Sequence, residues 1–270
     1  MRSILRSIAV AGLTVAGLVF AGPGTAAAAP SSVAYDVSYP QCGSPLPSGQ
    51  PFGVVGVNGG TAASANPCLS TQLRWAAAST GALADQPRVQ LYLNTANPGQ
   101  VADQVTTWPT TGTNRYGSCD GSNSAACSYQ YGVERATYSV RSVFGPAAWA
   151  ADISAMVSSY TWWLDVETSN TWQTGSTAAQ ARNRAALEGM TDFLTSSGGR
   201  VGIYSIAGQW RQVVGTVPPT SSLTPLPSWL AGASTLSGAI ANCAKAPLTR
   251  GPVVLAQYVV DGLDRDRSCS

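Results

Sequence analysis

Seven short apolar runs, most of them separated by helical patterns, limit this chain to very few architectures. "AYDVS" (34–38), "FGVVGVN" (52–58), "RVQLYLN" (88–94), "WWLDVE" (162–167), "RVGIYS" (200–205), "SWLAGA" (228–233) and "VVLAQYVV" (253–260) read as strands rich in Val, Leu and aromatics and bounded by Gly or Pro. An eighth strand is expected near Leu263. Helical patterns cover Leu69 to Thr80, Gly99 to Trp108, a pair over roughly 129 to 159, and Thr177 to Ser197. The last is the best marked. Ser176 or Thr177 caps it, Ala181, Ala185, Leu187, Met190, Phe193 and Leu194 recur at helical spacing, and Gly198-Gly199 stops it. Strands that alternate with helices pair in parallel, and strands apolar throughout are covered on both faces. An open doubly wound sheet and a closed barrel both satisfy this. No G-x-G-x-x-G follows a strand, and seven or eight strands in one domain favour closure. From about residue 228 the strands are joined by segments of poor helical periodicity. The expected fold is therefore α/β, an irregular (β/α) TIM-type barrel with missing or degenerate helices in its last third.

The N-terminus is read as an address rather than as fold. Arg2 and Arg6 precede an apolar core from Ile8 to Phe20 and a small-residue cleavage signal at Ala26-Ala27-Ala28. Residues 1–28 are the expected signal peptide, cleaved near Ala28, and 29–270 one secreted domain, since no linker of domain-joining length divides them. No later stretch approaches the roughly 20 apolar residues of a membrane span. Six cysteines, an even number in an exported chain, favour disulfides over metal thiolates. Proximity pairs Cys42 with Cys68, Cys119 with Cys127 and Cys243 with Cys269, one connectivity among fifteen. The polar, Gly/Ser-rich stretch 109–128 then reads as a stapled surface excursion.

Composition removes several chemistries. Cleavage takes Arg2 and Arg6 from 15 basic residues and leaves 13 against 13 acidic ones, with the arginines scattered and Lys245 the only lysine. That is no footprint for nucleic acid. The chain has no histidine, so Ser-His-Asp hydrolysis, Cys-His hydrolysis and His-ligated zinc are excluded. Carboxylates, hydroxyls, Tyr and Arg are left.

Carboxylates stand where folding does not ask for them. In "WWLDVETSNTW" alternation puts Trp162, Leu164 and Val166 on one strand face and Trp163, Asp165 and Glu167 on the other. If the first face meets helices, the second points into the barrel, with Glu167 nearest the strand's C-terminal end, where barrel enzymes hold their sites. "YDVS" repeats the pattern with Asp36 and Ser38, and "VDGLDRDRS" adds Asp261, Asp264 and Asp266. A barrel would bring the three clusters to one mouth. Without histidine, converging carboxylates suit glycoside hydrolysis, in which one protonated acid assists the leaving oxygen and another carboxylate stabilises the oxocarbenium-like centre or activates a nucleophile. Asp165 and Glu167, about 6–7 Å apart at the backbone, should raise each other's pKa. The plainer alternative is an ion pair of this D-x-E with Arg184 or Arg200. Glu134 and Glu188 are expected on solvated helix faces, and Trp75, Trp108, Trp149 and Trp210 in the core. Trp163, Trp172 and Trp229 lie where a ring could stack on a sugar. "DGLDRD" lacks the glycine and closing Glu of a calcium loop, so no metal and no cofactor is expected.

The order "YDVS", "WWLDVE", "GIYS", "SWLAGA", "AQY", "GLD" resembles the strand motifs of glycoside hydrolase family 25, lysozymes that cleave peptidoglycan between N-acetylmuramic acid and N-acetylglucosamine. The finer pattern of "YPQCG", "VVGVNGG", "NPCL", "LYLNTANPG" and "WWLDVE" is similar to a poorly characterised branch of secreted glycoside-hydrolase-like proteins, over nearly all of the mature chain. The resemblance implies an irregular eight-stranded barrel. It also implies Glu167 as general acid, Asp165 as the partner that orients or stabilises the N-acetyl group or reactive centre, Asp36 as a further acid, and Asp264 or Asp266 as the late-strand carboxylate. One departure stands out: those lysozymes carry a His-containing motif on the third strand, where this chain has "LYLNT", so Tyr92 and Asn94 take that wall of the groove. Tyr204 on the "GIYS" strand is expected to hydrogen-bond the carboxylates. The expected partner is a cell-wall polysaccharide, met by a monomer; a non-catalytic wall-binding protein on the same barrel is the rival.

Overall fold

The computed structural model describes residues 33–269, so the expected signal peptide lies outside the described residues. Eight strands close a barrel: β1 (Val33–Val37), β2 (Gly53–Gly56), β3 (Val89–Asn94), β6 (Thr161–Asp165), β7 (Arg200–Ser205), β8 (Ser228–Ala233), β9 (Val253–Val260) and β10 (Leu263–Ser268). A two-stranded flap, β4 (Thr113–Asn114) and β5 (Gly117–Ser118), stands apart. The order around the barrel is β1-β10-β9-β8-β7-β6-β3-β2, parallel at every pair but two. β10 runs antiparallel to both β9 and β1, a correction to uniform parallel pairing. The cause is local. Asp261 and Gly262 both take positive φ, 55° and 73°, and form the two-residue hairpin turn that Asp-Gly favours. The chain folds straight back with no room for a crossover helix.

Helices α1 (Leu69–Ala77), α2 (Ala125–Tyr138), α3 (Gly145–Ala150), α4 (Thr177–Ser196), α5 (Ala207–Val213) and α6 (Leu236–Cys243) pack outside. They shorten to seven and eight residues in α5 and α6 and vanish between β9 and β10. In α4 the Ser176 hydroxyl accepts from Ala179 N–H at 3.0 Å, and Ala185, Leu187, Met190 and Leu194 are buried. α2 meets α4 backbone to backbone. A Cβ on Gly132 would lie 1.9 Å from the Ala186 carbonyl oxygen, and one on Gly189 2.1 Å from that of Tyr129. The helix expected from Gly99 to Trp108 is only a 3₁₀ segment, Gly99–Gln104, broken by the extended φ of −129° at Val101 and fenced by Pro98 and Pro109.

Strand alternation separates two cores. Trp162, Leu164 and Val166 pack with Leu91, Leu93, Phe144, Leu187 and Ile203 between barrel and helices, whereas Ala34, Phe52, Val54, Trp163, Trp229 and Leu255 fill the barrel. Trp163 lies across β7 because residue 202 is glycine: a Cβ there would sit 2.2 Å from the ring. Burying such a ring stabilises the fold by about 2–3 kcal/mol. Its Nε1–H donates to Gln90 Oε1 at 2.8 Å, and its ring meets Trp229 edge-on at 5.7 Å. All three disulfides pair as proximity suggested. Among the described residues no helix is long and apolar enough to cross a membrane.

Two expectations about side chains are overturned. Glu188 is not on a solvated face. It is 3 % exposed on α4 and accepts hydrogen bonds from Tyr116 of the flap and, at 2.5 Å, from Ser221. Trp149 is not core but 84 % exposed, because α3 turns the adjacent Ala148 to the core and the helical twist carries the next side chain away from it.

Candidate active site

Three strands carry the acids. On β6 the face that holds Trp163 continues to Asp165, and Glu167 follows two residues beyond the strand end; on β1 the inward residue is Asp36. Across the ladder, β10 pairs Ala34 with Asp266, which puts Asp264 and Asp266 on the inward face and Arg265 and Arg267 on the other. Asp36, Asp165, Glu167 and Asp264 thus meet around one cavity of about 120 Å³ at the C-terminal end of the parallel strands, with Tyr92, Tyr204, Trp229 and Gln257 completing its wall. Among the described residues no Arg or Lys lines it. Asp266 lies one layer down, fully buried.

Arg200 and Arg184 do not reach the acids. Arg200 donates to Thr161 Oγ1 at 3.2 Å and Arg184 to the Val214 carbonyl at 2.6 Å, and the one ion pair among the described residues joins Arg115 to Asp192. With no cation to hold them, burial and mutual repulsion drive the carboxyl pKa values upward. Asp36 is pushed up to about 8 by burial and then by the charge of Asp264. Asp165 rises well above the carboxylate range through burial, then Glu167, then Asp36. Glu167, half-buried, is raised by burial and by Asp264, and Asp264 by burial. The cluster therefore holds protons at pH values where isolated carboxyls are ionised. Glu167 combines such a raised pKa with access from the cavity, while its backbone is fixed by Trp172, whose Nε1–H donates to the Glu167 carbonyl at 2.9 Å.

Hydrogen bonds set the rest of the wall. Tyr204 O–H donates to Gln257 Oε1 at 2.9 Å, and Gln257 Nε2–H donates to Asp36 Oδ2 at 3.0 Å. Tyr204 thus reaches a carboxylate through an amide rather than directly as expected. Gln257 carried no role in the sequence reading, yet it is the one polar residue in "VVLAQYVV" and shares the inward face with Leu255. Tyr92 lines the cavity, and burial raises its phenol pKa well above the usual value. Asn94 stands beside Asp165 in the β3–β6 register but outside the cavity wall, its backbone N–H bonded to Asn58 Oδ1 at 3.0 Å. Trp163 does not face the cavity. It is 1 % exposed in the barrel core, and Trp229, although it borders the cavity wall, is equally buried at 1 %, so neither ring has a face open for stacking on a sugar. A larger cavity of about 570 Å³ opens at the opposite end of the barrel beneath Trp163. Asp85 is the one carboxylate among its lining residues, so its size does not make it the reactive centre.

No family model matches the chain. No curated protein matches it by sequence either. Two solved structures share its architecture. A muramidase from Trichobolus zukalii is 17% identical, aligned over 88% of this chain and 93% of that one with a TM-score of 0.50. The bacterial lysozyme from Streptomyces coelicolor is 15% identical over 87% and 91% of the two chains, with a TM-score of 0.54. The irregular barrel of this chain, closed by an antiparallel last strand, is a lysozyme-like fold.

Proposed function

We propose that this chain is an exported glycoside hydrolase, a single barrel domain from about Ala29, that cleaves a cell-wall polysaccharide, most naturally peptidoglycan in the manner of a muramidase. The observation that carries this is the meeting of Asp36, Asp165, Glu167 and Asp264 in one cavity with no basic residue. Glu167 serves as general acid, since its raised pKa keeps a proton for the leaving oxygen and the cavity gives access to it. Asp165, next to it on the same face, orients the N-acetyl group or stabilises the positive charge that develops at the sugar ring. Asp36, which keeps its proton up to about pH 8, adds a hydrogen-bonding edge rather than a charge to the wall, and Asp264 completes it. The likeness to two structures described as a muramidase and a lysozyme supports the choice of substrate. Three disulfides and the N-terminal leader pattern support export.

The test is to incubate the mature protein, as a monomer, with purified cell walls and with chitin oligosaccharides and to follow reducing ends, beside Glu167→Gln and Asp165→Asn. Release by the wild type should fall by about 10² or more in Glu167→Gln. Wall binding without release, unchanged by either substitution, refutes catalysis and leaves a wall-binding protein.

A further inference from the structure

The barrel interior holds a fifth carboxylate that the reaction above does not use. Asp266 is fully buried on β10, directly across the ladder from Ala34 of β1 and Gln257 of β9. Neither of its oxygens has a hydrogen-bond partner of normal geometry, and the same is true of the Trp229 Nε1–H. Asp36, two residues along β1 from Ala34 and on the same inward face, and Trp229 are the polar side chains that interact with it. The charged and titratable groups around it are Asp36 from β1 and Asp264 on its own strand, with Asp165 of β6 and Tyr204 of β7 across the cavity; Arg265 and Arg267 point to the other face. A carboxylate anion there would be buried without a counter-charge, beside a second acid. Such a group keeps its proton. As a neutral acid it has one O–H to donate, and Asp36, which already accepts from Gln257 on Oδ2, is the acceptor within reach.

We propose that Asp266 is a positioning residue: a neutral carboxylic acid beneath the cavity that donates its proton to Asp36. Asp36 is then gripped from two sides, by the Gln257 amide and by the Asp266 acid, and its free edge is presented to the cavity. The consequence for turnover rests on the glycosidase reading; the proton itself does not.

The experiment reads the proton without requiring turnover. Side-chain carboxyl ¹³C shifts of Asp36 and Asp266 are followed from pH 4 to pH 9 in the full mature protein, alongside Asp266→Asn and Asp266→Leu. In the wild type the Asp266 carboxyl should stay at its protonated shift through pH 8. Asp266→Asn exchanges one neutral donor for another, so the Asp36 midpoint should move by less than about half a unit. Asp266→Leu removes the donor and should raise it by about one unit. An Asp266 carboxyl that is ionised at pH 7, or an Asp36 midpoint that falls by more than about one unit in Asp266→Asn because a negative charge has gone, overturns the proposal. So does an unmoved midpoint in a folded Asp266→Leu. If Asp266→Leu does not fold, the wild-type shift and Asp266→Asn decide alone. Walls that stay undigested while the shifts behave as expected would sink the glycosidase reading and leave the shared proton standing.

Discussion

Neutralising Asp36 should stabilise the protein, and by more the higher the pH. Unfolded, its carboxyl ionises near the ordinary 3.8; folded, burial and Asp264 hold it protonated up to about 8. Below both values the two states bind the proton alike. Between them the unfolded chain has released a proton that the folded one retains, so each pH unit favours unfolding by about 1.4 kcal/mol. From pH 5 to pH 7 the wild type loses about 3 kcal/mol through this one group, a loss that Asp36→Asn does not suffer. Asp36 is only 5 % exposed, so solvent screens little of this. For a chain of this size about 3 kcal/mol is a shift of about 6–12 °C in Tm. Thermal unfolding of both proteins in buffers from pH 4 to pH 8 measures it, and comparing the gap between them across pH removes any constant effect of the amide. A gap that stays level from pH 5 to pH 7 would mean that Asp36 titrates alike in both states, and the account of a cation-free buried cluster would fail with it.

Three more perturbations test the frame. Gly132→Ala should destabilise although helix propensity alone favours it by about 1 kcal/mol, because its methyl would lie 1.9 Å from a backbone oxygen that only a shift of α2 against α4 can clear; a Tm that rises instead would show that the helices are not in backbone contact. Removing the Cys243–Cys269 bridge, which spans 26 residues, as a double Ser variant should cost about 3–4 kcal/mol, read from denaturant unfolding. Tyr204→Phe frees Gln257 from its one phenolic donor, a hydrogen bond worth about 1 kcal/mol, and wall digestion should slow about fivefold while Tm falls by only about 2–4 °C.

The barrel was legible because its strands are covered on both faces and so appear as continuous apolar runs, while their inward acids break the run at every second place. Asp36, Asp165 and Glu167 were visible for that reason. What escaped was set by distant partners or by turn geometry. The reversal of β10 lay in Asp261-Gly262, a two-residue turn signal inside a stretch read for its acids and for an eighth strand but not for its turn. The burial of Glu188 depends on Tyr116 and Ser221, which arrive from loops on either side of α4 in sequence, so the local helical pattern showed only a charged residue. Gln257 was a lone polar residue in an apolar strand, and the alternation that exposed Asp165 would have exposed it too.

β1 and β10, the first and last strands, are neighbours, and the acidic pocket draws Asp36 from one and Asp264 from the other. No partly synthesised or half-threaded molecule can own this centre, because its two halves meet only after the final hairpin docks against the opening strand. The assembled pocket thus depends on that docking, and the Cys243–Cys269 bridge, tying α6 to the segment just after β10, holds it once made.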